Sequence, residues 1–229
     1  MSTFNFWDDY FFFTNKVITT SGFFTKIDYS LPIYRARKYD GFDINDPKEL
    51  QYPPKESCNK TGRANVPYHP VFYGSYDLEC CIMELELKKG EEVVVSEWCW
   101  KEKPNLNTKL FSKFESEYES LLRSFKIRTI EEYINLAISK KGELKPGTMH
   151  YDMINRMHVV CDLFLNENDY FGSAIVAFEE LYRSRLNNES DKSDVLIYPS
   201  IVCNSGVNLA IHPDIVDKFL TNTNVKLVK

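Results

Sequence analysis

The sequence contains no long apolar run, no basic run and no metal-ligand spacing, and each absence excludes a class of function. A helix that crosses a bilayer needs about 20 apolar residues in succession. No window comes near that length, so no transmembrane helix is expected. Lysine and arginine never stand more than two in a row, and the formal net charge is −5. Nucleic-acid surfaces carry a stripe of positive charge, so direct contact with DNA or RNA is not expected. The histidines form no H-x-x-x-H pair and the cysteines no C-x-x-C, which leaves no zinc-ligand spacing and no metal site to predict. Neither G-x-x-x-x-G-K nor G-x-G-x-x-G occurs, so the standard phosphate loops are missing. There is no G-x-S-x-G either, which argues against a serine hydrolase.

What is present describes one large domain. The chain has 229 residues, 43% hydrophobic and 27% charged, a balance that can bury a full core. Residues 1–30 are read as an aromatic arm (among them Phe4, Phe6, Trp7, Phe23 and Phe24), packed on the body or on a second subunit of a homo-oligomer. The start carries Asp8 and Asp9 and no basic segment, so no signal peptide is expected. Six cysteines without paired spacing read as reduced, mostly buried thiols, which fits a cytoplasmic protein.

Hydrophobic periodicity then orders the elements. Strands are expected at Leu31–Arg37 and Val71–Gly74, with a long proline-rich loop over 38–70 between them. Asp77 can cap a helix reaching about Leu87, and Glu92–Trp98 is a valine-rich strand. Residues 108–141 read as two helices, broken at Pro146-Gly147, with further helices over 150–165 and 170–186. Strands at Val195–Tyr198 and Val207–Ile211 flank a turn at Asn204-Ser205-Gly206. Pro213 opens a last helix, and Val225–Val228 forms a terminal strand. Strands, a helical middle and strands again predict an α+β fold.

Three polar clusters carry the chemistry. In Tyr34-Arg35-Ala36-Arg37 strand alternation puts both arginines on one face. Such a pair suits bidentate bonds to a pyrophosphate, although an edge strand with solvated arginines reads the same way. Pro53-Pro54 leads to Gly62-Arg63-Ala64-Asn65, where a glycine turn presents a third arginine and an amide. Tyr73 is followed by Glu84 inside Cys81-Ile82-Met83-Glu84-Leu85, a carboxylate that is either on a helix surface or held in a site. Farther on stand Tyr198-Pro199-Ser200, whose serine is also a common turn former, and Asn208.

Taken in order, Tyr34-Arg35-x-Arg37, Pro53-Pro54, Gly62-Arg63-Ala64-Asn65, Phe72-Tyr73, Glu84, Tyr198-Pro199-Ser200, Asn208 and His212-Pro213 resemble the RES family. That family takes its name from an arginine, a glutamate and a serine. The resemblance runs from about Leu31 to Asp214, so residues 31–229 are expected to form its domain, with a divergent helical segment at about 99–149.

The resemblance implies an ADP-ribosyltransferase-like fold, with short sheets around an NAD cleft. It implies loss of NAD by cleavage of the nicotinamide–ribose bond, with water or inorganic phosphate as acceptor and no separate cofactor. It also implies action as a bacterial toxin that an Xre-type antitoxin neutralises. Arg35 would be the main phosphate clamp, with Arg37 and Arg63 in support. Tyr73 would stack on the nicotinamide, with Asn65 beside the same substrate site. Glu84 would serve the ribose, Ser200 would orient substrate or a polar partner, and Asn208 would brace that strand. Two alternatives stay open at this point: a protein ADP-ribosyltransferase using the same cleft, and a non-catalytic nucleotide-binding module.

Overall fold

In the computed structural model, residues 23–112, 115–127, 129, 131–132, 134–135, 138, 159–166, 170–186, 192–203 and 206–228 are described. Their strands join one eight-stranded sheet in place of the short sheets expected above. In chain order the strands are β1 (Phe23–Thr25), β2 (Ile33–Lys38), β3 (Phe72–Ser75), β4 (Val93–Trp100), β5 (Thr108–Leu110), β6 (Val195–Pro199), β7 (Val207–Ile211) and β8 (Leu220–Val228). Across the sheet they run β1-β5-β6-β7-β3-β2-β4-β8, antiparallel except where β5 lies parallel to β6. Helices among the described residues include α1 (Pro47–Leu50), α2 (Leu78–Met83), α3 (Ser116–Ser124), α4 (Phe171–Phe178) and α5 (Pro213–Phe219). The result is a single α+β domain.

Sequence explains the position of each strand. β6 (VLIYP) and β7 (VNLAI) are buried at every residue, as strands covered on both faces must be. β8 lies at the edge and exposes most of its residues, the polar Thr221, Thr223, Asn224 and Lys226 among them. Phe72, Trp98, Phe111, Phe164 and Leu196 fill the core beneath. Each such side chain contributes roughly 1.5–3 kcal/mol when fully buried. α4 (FGSAIVAF) is apolar almost throughout and sits buried; it runs on through a π-helical turn at Glu179–Arg183. There Glu180 forms a buried ion pair with Lys109 of β5 and accepts a hydrogen bond from Ser193 Oγ.

Several expectations are corrected. Thr108–Leu110 is a strand, not the start of a helix, because its backbone pairs with β6; helix follows farther on, in α3 and again among the described residues of 131–138. The helix after Asp77 ends at Met83 and not near Leu87, since Glu86 takes a left-handed φ of 46° that no α-helix can absorb. The terminal strand begins at Leu220, paired with β4 along its whole length. Of the expected aromatic arm, residues 23–30 are described, and they pack on the body: β1 pairs with β5, and Phe23 and Ile27 join the core. Residues 1–22, most of the expected 150–165 helix, the break at Pro146-Gly147, and Asn204-Ser205 lie outside the described residues. Among the described residues no helix is long and apolar enough to cross a membrane.

Candidate functional site

Pairing brings distant segments to one place. β3 and β6 both pair with β7, so Ser75, Asn208 and Tyr198 sit in one row across the sheet. β2 follows on the other side of β3, with Tyr34 opposite Ser75. α2 starts two residues after β3; Asp77 caps it by accepting from the Cys80 N–H at 2.7 Å, and its C-cap is Glu84. A cavity of about 320 Å³ opens here, and among its lining residues are Arg35, Arg63, Tyr73, Glu84, Tyr198 and Asn208.

Arg35 forms the cationic wall. Its Nη1 donates to the Tyr73 carbonyl at 2.9 Å, and its guanidinium carbon lies 5.4 Å from the Phe72 ring centroid. Nε is buried and has no hydrogen-bond partner among the described residues. A buried donor without a partner is costly, and an anion in the cavity would relieve it. Burial pulls the pKa of this arginine down to about 10, which still leaves it charged at neutral pH. Arg63 approaches from the loop, donating to the carbonyls of Phe164 and Asn166 and stacking on Tyr170 at 4.6 Å.

Tyr73 is fixed at both ends of its hydroxyl. The phenol donates to Asn65 Oδ1 at 2.9 Å and accepts from the Ala64 N–H at 2.7 Å. Burial pushes its pKa well above the ordinary tyrosine value, so it stays neutral. Gly62 permits this close approach: a Cβ there would stand 2.5 Å from Asn65 Oδ1 and 3.1 Å from the Tyr73 hydroxyl. Tyr198 is buried, and its phenol is likewise held well above the ordinary value by burial. Cys81 lines the cavity as a neutral thiol, pushed up to about 12 by burial and donating to the Tyr34 carbonyl at 3.3 Å.

Glu84 supplies the negative charge. Its Oε1 accepts from Ser200 Oγ at 2.6 Å and from Asn208 Nδ2 at 2.6 Å. The arginine, glutamate and serine singled out in the sequence therefore come together, although they are spread from position 35 to position 200.

Other sequence candidates take different places. Arg37 does not line the cavity; it binds the Glu49 carboxylate at 2.7 Å and lies 4.1 Å from the Phe42 ring centroid. Asn65 stands behind Tyr73 and touches the site through it. Ser200 is buried and reaches the site through Glu84. Two aromatic lining residues had been given no role in the site, Tyr170 and Tyr198. Tyr198 was legible, because it precedes Ser200 by two positions and shares its side of β6. Tyr170 gave no local signal, since only the packing of α4 delivers it.

The arrangement combines two cations, aromatic walls and one carboxylate. That combination suits an anionic nucleotide with a ribose near the carboxylate. Compared with known proteins, the chain matches no family model, and no curated protein matches it.

Proposed function

We propose that this protein degrades NAD by cleaving the bond between nicotinamide and ribose, with water or inorganic phosphate as acceptor. The observation that carries the reading is the meeting of Arg35 and Glu84 at one cavity with Ser200 bonded to Glu84 behind it, the three residue types of the RES resemblance. The same resemblance motivates the finer parts of the proposal. The sheet and cleft are read as ADP-ribosyltransferase-like, the protein as a cytoplasmic toxin, and its partner as an Xre-type antitoxin.

The chemistry follows from charge. Arg35 and Arg63 hold the pyrophosphate, and the unpartnered Arg35 Nε gains an acceptor when it arrives. At about 320 Å³ the cavity lies at the low end of small-molecule pockets, the size of one nucleotide half of the dinucleotide. Tyr73, with its hydroxyl tied down, offers its ring as a rigid surface for nicotinamide. As the C1″–N bond breaks, its electron pair leaves with the base and turns the pyridinium into neutral nicotinamide. Positive charge then develops on the ribose, where the Glu84 carboxylate stabilises it. An oxygen of water or phosphate bonds to C1″, and water releases its proton to solvent.

The test is incubation of purified protein with NAD, with and without inorganic phosphate, and mass spectrometry of the products. ADP-ribose in both tubes identifies hydrolysis, and ADP-ribose-1″-phosphate only with phosphate identifies phosphorolysis. Intact NAD in both, from folded protein, overturns the reading.

A further inference from the structure

We propose that Ser200 and Asn208 are positioning residues that occupy one oxygen of Glu84 and leave the other as its single working atom. The proposal rests on the NAD-cleaving reading and assigns the division of labour inside that site.

The argument is an accounting of hydrogen-bond capacity. Ser200 Oγ accepts from the backbone N–H of Val202 at 3.2 Å and of Cys203 at 3.1 Å. A hydroxyl has two acceptor positions and one proton. With both acceptor positions filled, the proton has two neighbours, the Cys80 thiol and Glu84 Oε1, and the charged carboxylate oxygen at 2.6 Å takes it. Ser200 is thus a committed donor. To attack as a nucleophile it would have to give up the Glu84 bond and free a lone pair from two backbone amides. Asn208 Nδ2 fills the second position on the same oxygen at 2.6 Å. A carboxylate oxygen accepts about two such bonds, so Oε1 is saturated. Oε2 takes no hydrogen bond from the described residues, and Glu84 is exposed where it lines the cavity.

Local structure explains why two donors are needed. Glu84 caps the C-terminus of α2, where backbone carbonyls point outward and disfavour a negative charge. The donors come from β7 and the end of β6, elements with buried backbones, so they hold the carboxylate against a rigid support. The rotamer of Glu84 is set from behind while its reactive face stays open.

The test uses the full chain and a double-mutant cycle in NAD cleavage. Rates are read with enzyme in excess over labelled NAD, so that slow variants still give a value. Loss of a hydrogen bond to a charged group predicts that Ser200→Ala lowers kcat by roughly tenfold to a hundredfold, with KM close to wild type. Ser200→Thr keeps the hydroxyl and restores the rate to within a few-fold. Once Glu84→Gln has removed the charge, adding Ser200→Ala produces little further loss. A merely structural serine would give additive losses in that cycle and a matching drop in melting temperature. Additive losses, an effect confined to KM, or a covalent adduct on Ser200 in quenched turnover overturns the proposal. A wild-type protein that leaves NAD intact instead overturns the reading beneath it, so the two failures are separable.

Discussion

Replacing Tyr73 with phenylalanine keeps the ring and deletes one oxygen, and the structure sets the size of the effect. The hydroxyl makes two bonds, donating to Asn65 Oδ1 at 2.9 Å and accepting from the Ala64 N–H at 2.7 Å. Ala64 is buried, so its N–H would be left without a partner. At about 1 kcal/mol for each net hydrogen bond the loss is about 2 kcal/mol, and an orphaned buried donor moves it upward. For a chain of this length that is a fall in Tm of roughly 4–8 °C. Arg63 sits between Gly62 and Ala64, so under the proposed function the loosened loop should also raise KM for NAD several-fold. Thermal and urea unfolding followed by circular dichroism give the stability change, and steady-state NAD loss gives the kinetic one. A Tyr73→Phe protein within about 0.5 kcal/mol of wild type, a difference typical of neutral surface changes, would refute the account of Tyr73 as the anchor of the 62–65 loop.

Further expectations follow from the same geometry. Glu84→Gln should lower NAD turnover by at least a hundredfold without lowering Tm, which product assay and melting decide together. Arg35→Lys should fail to rescue Arg35→Ala in NAD cleavage, because an ammonium cannot serve both the Tyr73 carbonyl and a phosphate in a fixed fork; equal activity of Arg35→Lys and wild type would remove the clamp. Lys109→Met leaves Glu180 buried without its cation and should cost about 3–5 kcal/mol, most of it recovered by adding Glu180→Leu, as urea titration would show. Burial depresses the pKa of His212 to about 3, so the folded state binds fewer protons than the unfolded state below about pH 6.5. Stability should therefore fall as pH drops from about 6.5 toward 3, and His212→Asn, which keeps the cap on the Asp214 N–H, should flatten that part of the profile.

Legibility in the sequence followed the range of the interaction. The valine-rich segment at 93–98 and the apolar runs at 195–198 and 207–211 read as strands because their burial is written into consecutive residues. Thr108–Leu110 did not, because three residues carry no period and their strand character comes from β6 far along the chain. Arg35, Glu84 and Ser200 were found through an ordered motif, and no single one of them would have stood out. Arg37 was placed on the face of Arg35, and alternation gives no sign that Glu49 claims it. Tyr170 reaches the cavity from the start of α4, a tertiary result with no local trace.

The split origin of the site has a consequence for how the chain comes into being. Arg35, Arg63, Tyr73 and Glu84 belong to the first part of the chain, while Tyr198, Ser200 and Asn208 belong to the last, and the Asn208–Glu84 bond spans 124 positions. During synthesis the N-terminal segment leaves the ribosome first, and β3 waits unpaired on one side until β7 emerges. Pairings this far apart in sequence form slowly, since the loop must close before the contact stabilises it. A nascent or truncated chain that stops before β6 holds its arginines but lacks the donors that set Glu84. Assembly of the pocket therefore waits until β6 and β7 have been made, and a chain stopped before them has an incomplete site.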